Sequence, residues 1–446
     1  MSDSLLAHKD RLSAERHWEK EQAMLGPGLQ AVVLWGGLCV EHAVGDYVFT
    51  TDGRRFLDFQ GGAGVNHVGH SHPAVVSAVC DQVQRWMIGS WASRSRLRLL
   101  EEIQDFLPDG LERVQLYSSG TEAVEAALRL AKSYTGRHEV LSFWGGFHGK
   151  SLGSMALTSG GPRKSLGPLP TGFHSAPYAN ESLCPFGCSP RGCLRRCVDF
   201  TREKLEHDTT GDLAAIVVEG VQGRAGNVVP PPGYLRELKT LAHDTGALLI
   251  VDESMTGFGR TGRNFSYDHD DVVPDIVVVG KGMGSGYPIT GVIASDETMS
   301  VGPYSEPSAS SSSFGGFPAA CAAAAASLKI IRTEGLVERA AESGTLLLDA
   351  LTDRLADSLI VGEVRGKGLA IGIELVTDRE SRTPLDKSGI RHVYKRLLER
   401  GLLVMTGGNT LRLYPPLNVG RDSINMAVDV LTEVLGQPIE KNGAEA

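Results

Sequence analysis

The chain has 446 residues, 41% of them hydrophobic and 22% charged, so its composition is that of an ordinary globular protein with room for two or three domains. A formal net charge of −9 argues against an electrostatic surface for nucleic acid, and no apolar run in the sequence reaches transmembrane length. The N-terminal residues are charged throughout and lack the apolar stretch of a signal peptide, so we expect a cytoplasmic protein.

The first predicted elements are a helix, a hairpin and a second helix. Residues 3–22 have the spacing of an amphipathic helix, and residues 46–59 are typical of two strands joined by an Asp52-Gly53 turn. Pro73 suits a first helical position, and residues 74–86 continue with apolar side chains at helical spacing.

From about residue 113 the pattern alternates between strands and helices. Strands are predicted at 114–117, 140–143, 214–218, 247–251, 275–279 and 289–295, and helices at 121–134 and 234–243. Continuous apolar strands that alternate with helices predict an α/β fold whose mostly parallel sheet is covered on both faces.

A Pro/Ser-rich stretch at 307–318 precedes a region of mixed α+β pattern. Helices are predicted at 319–334, 336–357, 388–400 and 421–435, and strands near 360–364, 369–376, 402–405 and 410–414. We therefore expect three parts: an N-terminal segment (1–60) that packs with the small domain, a large domain (61–318), and a smaller C-terminal α+β domain (319–446).

Four of the predicted strands end in polar residues or glycine. The residues that follow them are Ser119-Gly120-Thr121, Glu219, Asp252 and Lys281. In open α/β sheets ligands bind outside the carboxyl ends of the strands, so these residues are expected to form one site.

Each of these features has an ordinary structural alternative. Ser119-Gly120-Thr121 opens a helix and suits a phosphate, although a simple helix cap has the same sequence. Lys281 at the rim of a buried sheet suits a nucleophilic amine, although most lysines are surface groups. Asp252 suits a contact to a cofactor, although a strand-terminal turn or a metal ligand would look alike.

The order of these features favours a pyridoxal phosphate (PLP) enzyme. Lys281 would form an imine with the cofactor and, once displaced, act as a base, while Asp252 would keep the pyridine nitrogen protonated. Phe147, in the run Trp144-Gly-Gly-Phe-His, would stack on the ring, although an aromatic residue after a strand is commonly part of the core.

The chain resembles the class III (ω-type) aminotransferases of PLP fold type I over about residues 40–435. The matching runs are GDYVFTTDGRRFLDF, GHSHPAVV, SSGTEAVEAALRLAK, GGFHGKS, VVEGVQGRAGNVVPPPGYL, LLIVDESMTGFGRTG, PDIVVVGKGMGSGYPI, SSFGGFPAAC, VRGKGLAIGIEL and LRLYPPLNV.

The resemblance implies a role for each site residue. The catalytic residues would be Lys281, Asp252 and Glu219, and the cofactor-binding residues would be Ser119, Gly120, Thr121, Phe147, His148, Asp252, Met255, Lys281 and Ser313. Ser313 stands where the family reaches the phosphate of the partner subunit, which implies a homodimer. Arg412 stands where family members bind a substrate carboxylate, although a structural arginine at a strand edge is an equal alternative.

Three departures from the family pattern affect the expected substrate. Ser254 and Met255 replace the valine and glutamine that contact the ring, and Phe317 replaces an asparagine. Arg224 replaces the second glutamate, which in ornithine and 4-aminobutyrate enzymes controls the substrate-binding arginine, so those two substrates are doubtful.

The chain has seven cysteines, and four of them lie at C-x3-C-x4-C-x3-C spacing over 184–197. This run resembles the Cys-rich insertion of a bacterial class III subgroup that includes aminotransferases of aminoglycoside biosynthesis. Zinc sites commonly show a tighter C-x2-C pair, so the spacing favours reduced thiols over a structural metal and we predict no metal site.

The sequence leaves three functions to compare. The first is an aminotransferase that moves an amino group from an amino donor, glutamate or another amino acid, to a carbonyl acceptor. An oxidised aminoglycoside or amino sugar in antibiotic biosynthesis, stacked on Trp91, is the specific prediction for that acceptor. The second is a PLP-dependent racemase, epimerase or dehydratase. The third, a nucleotide-binding module at 280–286, is disfavoured because its glycines lack G-x-G-x-x-G spacing.

Overall fold

The computed structural model describes residues 14–188 and 190–437. The helices are α1 (Ala14–Gln22), α2 (Ala31–Gly36), α3 (Gly61–Gly64), α4 (Pro73–Val83), α5 (Arg94–Gln104), α6 (Gly120–Thr135), α7 (Leu152–Leu157), α8 (Pro190–Asp208), α9 (Tyr234–Thr245), α10 (Asp296–Met299), α11 (Pro318–Thr333), α12 (Leu336–Arg354), α13 (Lys387–Glu399) and α14 (Arg421–Leu435).

The strands are β1 (Val40–Val44), β2 (Tyr47–Thr50), β3 (Arg55–Asp58), β4 (Arg113–Tyr117), β5 (Glu139–Phe143), β6 (Phe173–Ala176), β7 (Leu213–Val218), β8 (Leu248–Asp252), β9 (Ile276–Val279), β10 (Thr290–Ala294), β11 (Val361–Lys367), β12 (Ala370–Asp378), β13 (Thr383–Pro384), β14 (Leu402–Leu403), β15 (Met405–Gly407) and β16 (Thr410–Leu413). Short 3-10 turns cover Gly161–Ser165, Ser266–Asp270 and Lys281–Met283.

The large sheet has seven strands in the order β4-β10-β9-β8-β7-β5-β6. Strand β10 is antiparallel to both of its neighbours, and the remaining pairs are parallel. Every residue of β7, β8 and β9 is buried, as their unbroken apolar sequences predict for central strands covered on both faces. The predicted mostly parallel α/β sheet is confirmed.

The chain turns directly from β4 into helix α6, and the capping residues of α6 fix where the helix begins and ends. Ser119 is its N-cap, and the Ser119 hydroxyl accepts a hydrogen bond from the Glu122 backbone N–H. The helix ends at Gly136, whose φ of 67° lies in the left-handed region that favours glycine. Buried alanine and leucine residues on its inner face pack against the large sheet.

Two smaller sheets lie outside the large one, and one of them combines strands from both ends of the chain. The antiparallel sheet β11-β12-β16-β15 is formed by C-terminal residues, whereas the sheet β1-β2-β3-β14 combines N-terminal and C-terminal strands. In the second sheet, Leu57 pairs with Leu402 in parallel register. The domain boundaries at residues 60 and 318 stay predictions.

Some element bounds differ from the predicted ones. The predicted helix at 3–22 is observed at Ala14–Gln22, and its earlier part lies outside the described residues. The single strand predicted at 402–405 is two strands, β14 and β15, which belong to different sheets. Within the described ranges, no helix is both long and apolar enough to cross a membrane.

Candidate active site

The carboxyl ends of β4, β7, β8 and β9 lie at one edge of the large sheet because these four strands run in the same direction. Asp252 ends β8, Glu219 follows β7 directly, and Lys281 follows β9 by two residues. The charges of Asp252 and Glu219 both act on the Lys281 amine. The structure therefore brings together these three residues, as the strand ends predict.

Lys281 occupies a constrained position. Its backbone φ of 38° is unusual for a residue with a side chain, and such conformations concentrate at functional sites. A Cβ at the next residue, Gly282, would overlap the His67 ring, so only glycine fits there. Nζ lies 4.0 Å from Met255 Sδ and, among the described residues, forms no ion pair. Desolvation lowers the pKa of Lys281, although the nearby carboxylates oppose this effect.

Asp252 is held by His148 in the interior. His148 Nδ1 donates to Asp252 Oδ2 at 2.9 Å, and the Ser254 backbone N–H donates to Oδ1 at 3.1 Å. Burial alone would raise the pKa of Asp252, but the hydrogen bond and charge of His148 outweigh it, and the net shift is downward. Burial lowers the pKa of His148, but Asp252 reverses that effect and the net shift is upward. Asp252 is therefore an ionised carboxylate inside the protein.

Glu219 connects two loops that border the site. Its Oε1 accepts from the Phe147 backbone N–H at 2.8 Å, and its Oε2 accepts from the Gly223 backbone N–H at 3.1 Å. The Tyr178 hydroxyl donates to the backbone carbonyl of Glu219 at 3.0 Å. Burial raises the pKa of Glu219, and the charge of Asp252 adds to this rise, while His148 opposes it.

Two arginines border the site, Arg224 beside Phe147 and Arg412 close enough for its charge to act on Arg224. The Arg224 guanidinium carbon is 4.9 Å from the Phe147 ring centre, which is a cation–π distance. Arg412 donates from Nη1 to Gly223 O at 3.2 Å and from Nη2 to Thr406 O at 2.8 Å. Arg412 Nε and Arg224 Nη1 are buried and have no hydrogen-bond partner within the described part of the chain. Burial, and then the charge of Arg412, lower the pKa of Arg224.

The start of α6 is available for an anion. The first backbone N–H groups of a helix have no partner within the helix, and the dipole favours negative charge there. A Cβ added to Gly120 would meet nothing within 4 Å, so the helix faces open space at this point. The Thr121 hydroxyl is turned elsewhere, because its Oγ1 lies 2.7 Å from Ser151 Oγ and 2.6 Å from Ser154 Oγ.

Two predicted site residues lie apart from this cluster. The Trp91 side chain, between α4 and α5, is 72% exposed, and Ser313 is exposed in the segment before α11. Within residues 14–188 and 190–437, no hydrogen bond joins either side chain to Lys281, Asp252 or Glu219. Their assignments to a substrate and to a partner subunit stay predictions.

The sequence analysis missed a buried pair beneath the lysine turn. The His67 ring accepts at Nδ1 from Arg260 Nη2 at 3.2 Å and lies 3.2 Å from Gly257 O through Nε2. Arg260 is fully buried, also donates to Leu369 O and Pro415 O, and has its pKa lowered to about 9 by burial. The only sequence signal was a histidine within the GVNHVGH run just after the first hairpin.

Glu253, next to Asp252, is a structural group. Its carboxylate accepts from the Ser266 backbone N–H and hydroxyl, from the Tyr267 backbone N–H and from the Thr256 hydroxyl. Burial raises the pKa of Glu253 to about 7. The pKa values of the two adjacent acidic residues therefore shift in opposite directions, and of the two only Asp252 is a cause of the Lys281 pKa shift.

Comparisons with known proteins agree with this geometry. The family model described as "Aminotransferase class-III" matches residues 32–435. Acetylornithine aminotransferase of Methanothermobacter thermautotrophicus is 36% identical over 405 residues, which cover 89% of this chain and 94% of that protein. Leucine/methionine racemase of Thermococcus litoralis is 33% identical over 395 residues, covering 87% and 88%.

A solved structure shares the fold over nearly its whole length. It is an amine transaminase from an uncultivated Pseudomonas species in its PLP-bound form, with a TM-score of 0.87 and 30% identity, covering 92% of this chain and 98% of that chain. The family match spans all the strand ends described above. The chain therefore belongs to the class III aminotransferases and is a transaminase.

Proposed function

We propose that this transaminase holds PLP on Lys281 and moves an amino group from a carboxylate-bearing amino donor, glutamate in the first place, to a carbonyl acceptor. Class III aminotransferases use PLP. When bound, the cofactor supplies an aldehyde that receives the amine and a pyridine ring that accepts electrons from the substrate carbon. The buried Lys281 amine beside the ionised Asp252 is the observation on which this proposal rests.

The residues present fit such a cofactor. The desolvated amine of Lys281 has its pKa lowered, as an amine that reacts with an aldehyde requires. The ionised, buried Asp252 suits a protonated pyridine nitrogen, and the open helix start at Gly120 suits a phosphate. Phe147, fixed through its backbone by Glu219, is placed to contact an aromatic ring.

Each residue would then have a defined task. When it is not bonded to the cofactor, the Lys281 amine would take the proton from the α-carbon of the amino donor and deliver it to the cofactor. Asp252 keeps its negative charge through the hydrogen bond from His148, whose role is to position that carboxylate. Glu219 fixes the two loops that close around Phe147 and Gly223.

The two arginines favour a dicarboxylate donor. Both Arg412 Nε and Arg224 Nη1 are buried and find no partner among the described residues, and leaving such charged donors unmatched is costly. Since Arg224 replaces the acidic residue expected at its position, no carboxylate at 224 neutralises Arg412. A donor with two carboxylates, such as glutamate, would supply the missing acceptors.

The acceptor proposed for this site is an oxidised amino sugar, with its ring on Trp91. The exposed indole of Trp91 suits a sugar face, and the Cys-rich segment supports membership of the subgroup in which such acceptors occur. The arginine pair would repel ammonium groups, so the sugar must enter with its carbonyl end first. We also propose a homodimer in which Ser313 of one subunit contacts the phosphate of the other.

Amine transfer is tested by mixing glutamate, carbonyl acceptors and the holoenzyme. We expect 2-oxoglutarate to form in the same amount as the aminated acceptor, and consumption of glutamate without an aminated product would contradict the proposal. A keto-acid panel beside an oxidised amino sugar identifies the acceptor. Size-exclusion chromatography with light scattering tests the dimer.

Racemisation is the second candidate because a leucine/methionine racemase is a relative. Ser254 and Met255, which depart from the family pattern around the ring, would accompany a change in where the proton returns. Leucine or methionine incubated in deuterated water distinguishes the two reactions. Loss of optical purity with deuterium at the α-carbon, and no 2-oxo acid, would favour the racemase.

A further inference from the structure

Three cysteines that have no role in the proposed transamination meet beside helix α8, and a fourth lies in the same segment. Cys193 and Cys197 are fully buried, and their Sγ atoms are 3.9 Å apart. The Sγ atoms of Cys184, Cys193 and Cys197 all lie within 4.8 Å of one another. Cys188, also a free cysteine, follows Cys184 by four residues.

The local backbone favours negative charge on these sulfurs. Cys193 lies in the first turn of α8, a 19-residue helix whose N-terminal dipole stabilises anions.

The sulfurs are packed closely enough to share one cation. Cys193 and Cys197 are fully buried, and the Cys184 sulfur lies within 4.8 Å of both of theirs. A thiophilic cation at the centre would take these sulfurs as ligands and release the thiol protons.

We propose that Cys184, Cys188, Cys193 and Cys197 bind one Zn²⁺ ion as a tetrahedral, structural site. Zinc–sulfur bonds of about 2.3 Å place the sulfurs of a tetrahedral site about 3.8 Å apart. The Cys193–Cys197 separation of 3.9 Å matches that edge, and the Cys184 sulfur lies within 4.8 Å of both. The Cys188 sulfur, in the turn before α8, would move in to complete the tetrahedron.

The C-x3-C spacing also has a structural reason. Residues four apart lie one above the other on a helix, so Cys193 and Cys197 present their sulfurs from one face of α8. The partner pair, Cys184 and Cys188, lies in the turn that precedes the helix, where Gly187 N–H donates to Cys184 O at 3.0 Å. A C-x2-C turn is unnecessary when one pair of ligands belongs to a helix.

The ion would fix the segment that leads from β6 to α8. Tyr178, near the start of this segment, holds the backbone carbonyls of Glu219 and Gly220. At its middle, the Ser182 carbonyl accepts from Arg382 Nη1 at 3.0 Å, and the Ser182 hydroxyl contacts Glu363. The site is thus structural, and it supports the loop wall of the active site without touching the reacting atoms.

The test is the metal content of the full-length holoenzyme after dialysis against a weak chelator, measured by inductively coupled plasma mass spectrometry. We expect one zinc per chain, and a Co²⁺-substituted sample is expected to show the sulfur-to-metal charge-transfer and d–d bands of tetrahedral thiolate coordination. A structural site holds one zinc per chain, so a content below about 0.1 zinc per chain would overturn the proposal. Mass spectrometry should then show the four cysteines as reduced thiols or as a disulfide.

Matched variants locate the ion. Cys193→Ser and Cys197→Ser should lose the zinc and the cobalt spectrum, whereas Cys80→Ser, at an exposed cysteine, and Cys321→Ser, at a buried cysteine outside the cluster, should retain both. Zinc retained at one per chain in Cys193→Ser would place the ion elsewhere and refute the site. Because the wild-type measurement is decisive by itself, a variant that fails to fold leaves the test intact.

Discussion

Removing the charge of Arg412 tests whether the site recognises a substrate carboxylate. Two of the three Arg412 nitrogen groups already donate to Gly223 O and Thr406 O, so Nε provides one unused, buried donor. One charge-assisted hydrogen bond contributes about 1.5–3 kcal/mol, and each 1.4 kcal/mol is tenfold. We therefore expect Arg412→Gln to lower kcat/KM for glutamate by about 10- to 150-fold.

The assay compares glutamate with a primary amine that has no carboxylate, followed as single-turnover loss of the cofactor's visible band. The glutamate reaction should slow by the stated factor, while the amine reaction should change less than about twofold, because it never uses the guanidinium. Glutarate, a dicarboxylate without an amino group, should inhibit the wild type and bind the variant more weakly by a similar factor.

Arg339→Gln is a matched control. Arg339 also donates to two backbone carbonyls, of Asn418 and Val419, but it lies outside the site. It should retain the wild-type rates while losing comparable structural hydrogen bonds. Equal losses for glutamate and the plain amine in Arg412→Gln, or glutamate rates within twofold of the wild type, would show that Arg412 is a structural arginine and refute the reasoning.

Four further outcomes are expected. Lys281→Ala should lose the borohydride-fixed cofactor mass and about 10³-fold or more of turnover, and an unchanged rate would sink the assignment. Asp252→Asn should keep the cofactor but slow proton removal by about 10²-fold in single turnover, whereas a normal rate would remove Asp252 from the mechanism. Arg224→Glu should weaken inhibition by glutarate, measured as its inhibition constant, and should raise the ratio of kcat/KM for a diamine to kcat/KM for glutamate. Glu253 has its pKa raised from 4.5 to about 7 by burial. Its contribution to stability is therefore complete below about pH 4.5 and falls by up to about 3 kcal/mol as the pH rises to about 7, and urea unfolding of Glu253→Gln should show a flatter pH profile.

The strand ends could be predicted because their signal is local. The runs that become β7, β8 and β9 are continuous and apolar, which limits them to the centre of a parallel sheet. Parallel strands place their carboxyl ends on one edge, so Lys281, Asp252 and Glu219 had to lie close together. The sheet order and the antiparallel insertion of β10 did not follow from the sequence, because pairing depends on contacts between distant segments.

The polar partners of the site residues could not be predicted for the same reason. The hydrogen bond between His148 and Asp252 spans 104 residues, and that between His67 and Arg260 spans 193. No periodicity encodes such pairs. The spacing rule that favours reduced thiols at 184–197 describes turns, whereas Cys193 and Cys197 lie on a helix. The absence of a metal site therefore stays a prediction, which the zinc measurement tests.

Charge balance connects the fold with the chemistry. The described residues around the strand ends supply the cations Lys281, Arg224, Arg412 and, when protonated, His148, against the two carboxylates of Asp252 and Glu219. Buried charge of one sign is stable only when a ligand supplies the other. A phosphate at the start of α6 and a carboxylate at the arginine pair would supply it. An acidic residue at 224 would form a balanced pair with Arg412 and would suit an uncharged or cationic end of the donor. Arg224 instead places two cations there, and this charge is the reason for proposing a donor with two carboxylates.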